Sequence, residues 1–63
     1  MQIRTKRLEK NISQAELAKE LGVHPSAVVK WETGVAFPRV ELLIKLSDLF
    51  GCTIDELVRG EKK

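Results

Sequence analysis

The stretch from Ser13 to Thr33, SQAELAKELGVHPSAVVKWET, leaves a chain of this size few ways to fold. It reads as two short amphipathic helices joined at Gly22. Ser13 followed three residues later by Glu16 is a capping box, in which the hydroxyl accepts from the Glu16 amide and the carboxylate reaches back to the Ser13 amide. Ile12 before the cap and Leu17 four residues after it form a hydrophobic staple. Leu17, Ala18 and Leu21 recur on one helical face, so the segment buries a narrow stripe and permits close approach at Ala18. Gly22, just past that stripe, suits the left-handed conformation that closes a helix and turns Val23 toward the core. Pro25 suits the first position of a second helix, where its missing N–H would have had no intrahelical partner.

Placing residues about 100° apart around that second helix divides it into two faces. His24, Ala27, Val28 and Trp31 fall on one side and suit burial, whereas Ser26, Val29, Lys30 and Thr33 fall on the other. The outer face is small, short and mildly basic. A merely solvated helix would carry Glu, Lys and Gln there, so this face reads as made to lie against something. Val29 suits a thymine methyl, and Lys30 suits a guanine edge or a phosphate oxygen.

These residues resemble the helix-turn-helix of the Cro/cI-type (XRE) family of bacterial and phage regulators. Leu17, Ala18, Leu21, Gly22, Val23, Val28 and Trp31 match that family's apolar, small and glycine positions. The phrases ISQAELAKELGV, KWETG and LFGCTIDEL resemble its wording in order and in register across nearly the whole chain. The resemblance implies an all-α, five-helix lambda-repressor-like DNA-binding domain whose helices 2 and 3 form the helix-turn-helix. It also implies base-edge contacts from Pro25, Ser26 and Lys30, with Val29 and His24 nearby. The family pairs an arginine at the place of Arg7 with a glutamate at the place of Glu32, a clamp between the first and third helices. It uses a glutamine at the place of Gln14 both to hold a phosphate and to brace the recognition helix. This sequence departs from common usage at Pro25, which replaces a hydrogen-bonding side chain, and at His24, which replaces a Ser or Thr cap.

Helices are expected at about 2–10, 14–21, 25–33, 39–50 and 54–59, in one domain spanning 1–63 with a charged tail at 60–63. In the first, Ile3 and Leu8 point inward and Asn11 takes the left-handed closing position. Gly34 closes the third, and Phe37 plugs the core beneath the following loop. Arg39 then starts the fourth helix, where a cation opposes the dipole and gives no good cap, so local stability does not explain it. A phosphate would, and the family places backbone contacts in this loop. The fourth helix is apolar over more than one stripe, which calls for cover by both a fifth helix and a second subunit. Thr53 to Glu56 repeats the capping box, with Cys52 and Leu57 as its staple.

Charge is unevenly placed: +3 over residues 1–12, −1 over 13–33 and zero over the remainder, for a net +2. On composition alone the basic excess at the first helix reads as a solvated face, and the neighbouring motif turns that reading toward a phosphate footprint. With the resemblance, phosphate contacts are expected from Gln14, Arg39, Arg4, Lys6 and Thr33, and a homodimer interface from Leu42, Leu49, Ile54 and Val58. A chain of 63 residues buries a modest core, which a dimer would supplement. No apolar run is long enough for a membrane span, no secretion signal is visible, and one cysteine makes no internal disulfide. No metal-ligand cluster, paired carboxylates or phosphate-cradling glycine loop is present, so no enzyme, metal, cofactor or small-molecule ligand is expected.

The expected function is a sequence-specific double-stranded DNA-binding regulator, a repressor on a palindromic operator, in the cytoplasm and nucleoid of a bacterium or its phage. The alternative is a protein-interaction module or antitoxin-like partner with little direct readout, favoured by the thin net charge and by Pro25.

Overall fold

The computed structural model describes residues 1–59, and the expected tail at 60–63 lies outside them. Five helices follow one another: α1 (Ile3–Glu9), α2 (Gln14–Leu21), α3 (Pro25–Thr33), α4 (Val40–Phe50) and α5 (Ile54–Arg59). Several boundaries have a local cause. Both halves of the Ser13–Glu16 capping box are made, at 3.0 and 2.7 Å, as are both halves of the Thr53–Glu56 box, at 3.0 and 2.9 Å. α1 ends with Asn11 in the left-handed region at φ 61°, and α2 ends with Gly22 at φ 72°. A Cβ at Gly22 would meet nothing within 4 Å, so the tight turn demands glycine for its torsion and not for its space.

Helices this short are marginal in isolation, and packing holds them. Every element contributes to one core: Ile3 from α1, Leu17, Ala18 and Leu21 from α2, Val28 and Trp31 from α3, Leu46 and Phe50 from α4, and Leu57 from α5. α2 and α3 pack most closely, with the Val23 amide donating to the Ala18 carbonyl at 3.0 Å across the turn. The two sequence ends of this bundle are also joined, since the Gln2 amide donates to the Leu57 carbonyl at 2.8 Å.

Three expected inward residues face solvent. Leu8 is 54% exposed, because it lies about 140° around α1 from Ile3, whereas Arg7 lies only about 40° away. Phe37 is 73% exposed, and the neighbouring Pro38 is buried in its place. His24 is exposed because it precedes the helix as its N-cap, so the helical face assignment does not apply to it. The wide apolar surface of α4 is partly covered: Leu42, Leu43 and Leu49 pack against the core, and Val40 and Ile44 remain outward. Half-buried Cys52 also packs against the core. Burial, aided by Glu56 and Glu9 and opposed by Lys6, pushes its thiol above the ordinary value, away from thiolate chemistry.

Candidate nucleic-acid interface

α3 is held from behind by a charge network. Arg7 Nε donates to Glu32 Oε2 at 2.7 Å and Arg7 Nη2 to Glu32 Oε1 at 3.3 Å, while Arg7 Nη1 donates to the Ile12 carbonyl at 2.9 Å. Gln14 Nε2 donates to Glu32 Oε1 at 3.0 Å. The Arg7 and Glu32 side chains are only 9% and 4% exposed, so neither charge could stay there alone. Burial pushes the Glu32 carboxyl up, but the hydrogen bonds from Arg7 and Gln14 and the charges of Arg7 and Arg4 outweigh it. The carboxyl therefore sits below its ordinary value of 4.5. α1, α2 and the loop between them thus fix α3 through one carboxylate.

The opposite face of α3 is open. Ser26, Val29, Lys30 and Thr33 are all exposed, along with Pro25 at the helix start. Pro25 offers no side-chain donor or acceptor. The Thr33 hydroxyl donates back to the Val29 carbonyl at 2.9 Å, so it can donate to a phosphate only by giving up that bond. At the helix start, His24 Nδ1 accepts from the Ser26 amide at 3.1 Å and lies 3.0 Å from Ser26 Oγ. The imidazole is therefore a working cap that also lies against the Ser26 hydroxyl, and an acceptor two residues before a serine at a helix start is the sequence pattern that marks the cap.

Arg39 stands at the N-cap of α4 with no side-chain capping bond. It lines a groove together with Ala27 and Trp31 of α3 and Phe37 of the preceding loop. Among the described residues neither Arg39 nor Lys30 enters an ion pair. Arg4 is exposed and its charge acts on Glu32, which places it on the α3 side of α1. Lys6 lies about 200° around the same helix, and its charge acts on Cys52 instead. The expected dimer residues also divide, since Leu42 and Leu49 pack against their own core while Ile54 and Val58 face outward. Among the described residues no cluster of acidic, histidine or cysteine side chains could hold a metal ion. No described helix is long and apolar enough to cross a membrane.

Two capped helices around a left-handed glycine, one locked from behind and open in front, define a helix-turn-helix domain. The helix-turn-helix family matches residues 3–57, and the chain belongs to that family, of the Cro/cI (XRE) type. The HTH-type transcriptional activator BcrR of Enterococcus faecalis is 45% identical over 56 residues, 89% of this chain and 28% of that protein. Repressor protein C2 of Salmonella phage P22 is 37% identical over 59 residues, 94% of this chain and 27% of that protein. The HTH-type transcriptional regulator AnsR of Bacillus subtilis is 40% identical over 57 residues, 90% of this chain and 49% of that protein. The chain thus spans between about a quarter and a half of the length of these three relatives. The crystal structure of the P22 c2 repressor in complex with a synthetic operator superposes with a TM-score of 0.87 and 37% identity, covering 94% of this chain and 89% of that one.

Proposed function

We propose that this chain binds double-stranded DNA in a sequence-specific manner, as a homodimer on a palindromic operator, and represses transcription by occupying it. The observation that carries the reading is the asymmetry of α3: its rear is locked by Glu32, while its front presents Ser26, Val29 and Lys30 to solvent beside an uncapped Arg39. The likeness to an operator-bound repressor supports the same orientation. Ser26, Val29 and Lys30 read base edges in the major groove, and Pro25 contributes contact without hydrogen bonding. Gln14, Arg39 and Arg4 supply register and much of the affinity through phosphates, with Lys6 and Thr33 contributing less. Ile54 and Val58 pair α5 with a second copy, which sets the two recognition helices about 34 Å apart, one turn of DNA. The protein works in the cytoplasm, at the nucleoid.

Selection of sites from random duplex DNA, followed by titration of variants, tests this reading. Lys30→Ala relaxes preference at one base pair per half-site by about 1–3 kcal/mol. Arg39→Ala weakens all sequences alike and lowers the salt slope by about 0.9. Equal losses of preference from the two variants would overturn the division of roles, and unpaired half-sites would overturn the homodimer.

One observation favours a second reading as a protein-interaction module: Val35, Phe37 and Val40 expose an apolar surface along the loop before α4. Salt-dependent binding to random duplex DNA separates the two, because a pure protein partner would give none.

A further inference from the structure

The outward side of α3 divides lengthwise into two rows. Pro25, Val29 and Thr33 follow one another at every fourth residue, so they lie along one edge of the helix, and all three are exposed. Ser26 and Lys30 form the neighbouring row, also exposed. The first row offers almost nothing to hydrogen-bond. Proline and valine carry no side-chain donor or acceptor. The one hydroxyl in the row, on Thr33, donates back to the Val29 carbonyl at 2.9 Å. Its proton is therefore spent within the helix, and the methyl on the same carbon is the group left free. Side-chain hydrogen bonding toward the outside is concentrated in the Ser26–Lys30 row.

We infer that the Pro25–Val29–Thr33 row reads the 5-methyl groups of pyrimidines, so that the chain binds thymine and 5-methylcytosine in preference to uracil and cytosine at the bases this row covers. The inference rests on the DNA-binding reading above and names the chemistry of one edge of that interface. In the major groove the base edges present hydrogen-bonding atoms, with one apolar exception, the thymine methyl, which apolar side chains and threonine methyls contact. A methyl placed on cytosine stands at the same ring position as the thymine methyl. A row that contacts the methyl alone therefore accepts both bases. Methylation of a cytosine under this row is then a mark that the helix registers as a gain in affinity, while the Ser26–Lys30 row continues to read hydrogen-bonding edges.

The site selected by the full chain from random duplex DNA supplies the probe. Each thymine of the half-site is replaced in turn by deoxyuridine, which removes one methyl and keeps every hydrogen-bonding group. The wild-type chain should lose roughly three- to fivefold in affinity at one or more thymines per half-site, the worth of one buried methyl. With cytosine placed at such a position, adding its 5-methyl group should raise affinity by about the same factor. Val29→Ala removes two methyls from the row, and Thr33→Ser deletes one while keeping the back-bonding hydroxyl. Each should shrink the uracil effect at one thymine to less than about twofold, with circular dichroism showing the fold retained. Uracil tolerated at every thymine would overturn the inference and leave the DNA-binding reading standing. Uracil losses identical in the wild type and both variants would also overturn it, because the methyls would then act through DNA shape and not through contact. The absence of any enriched sequence would sink both the inference and the DNA-binding reading.

Discussion

The two ends of α3 are held by opposite means. At its C-terminal end, Glu32 receives hydrogen bonds from Arg7, 25 residues away on α1, and from Gln14, 18 residues away on α2, in a nearly closed environment. At its N-terminal end a single exposed imidazole caps the helix from two residues away. The buried end is coupled to most of the bundle, so its failure spreads. The exposed end is local, so its failure stays local. The aim of the helix is thus set from the rear, and the front is left free to vary in chemistry without loss of the fold.

The strongest blow to the rear is Arg7→Ala, which strands the Glu32 carboxylate and should cost about 3 kcal/mol of stability in urea unfolding. A loss below about 1 kcal/mol, the range of exposed ion pairs, would erase the contrast between the ends. Acid gives a smaller effect. Because the folded Glu32 carboxyl is held below 4.5, its stabilisation is full above that value and is lost as pH falls through the folded pKa. Unfolding free energy measured from pH 6 downward should decline below about 4.5, and Glu32→Gln should remove that part of the decline. His24→Ala, at the front, should cost about 1 kcal/mol as a lost N-cap, with the α1 and α2 amides keeping their native chemical shifts. Smallest is Thr33→Val, whose back-bonded hydroxyl faces solvent; a change within about 0.5 kcal/mol in thermal unfolding is expected.

The elements most legible in the sequence were those whose cause lies within four residues. The capping boxes at Ser13 and Thr53 and the left-handed closures at Asn11, Gly22 and Gly34 are all of this kind. The link between Arg7 and Glu32 is different, because no spacing rule connects residues 25 apart, and only the family resemblance pointed to it. Burial in the loop at Phe37 depends on how the chain bends over the core, which puts Pro38 inside instead. Leu8 is apolar but sits at the wrong angle around α1 to reach the core, and the long stem of Arg7 takes the inward place. At the interface, the exposed face of α3 followed from periodicity. The contact between His24 Nδ1 and Ser26 Oγ depends on three-dimensional neighbours and is not visible in the string.

The backbone bond from the Gln2 amide to the Leu57 carbonyl makes the start of the bundle a sensor of its far end. Amide hydrogen exchange at Gln2 should keep time with the opening of α5 and not with fraying of α1 alone. Any partner that clamps α5 would then slow deuterium uptake at a residue more than fifty positions upstream.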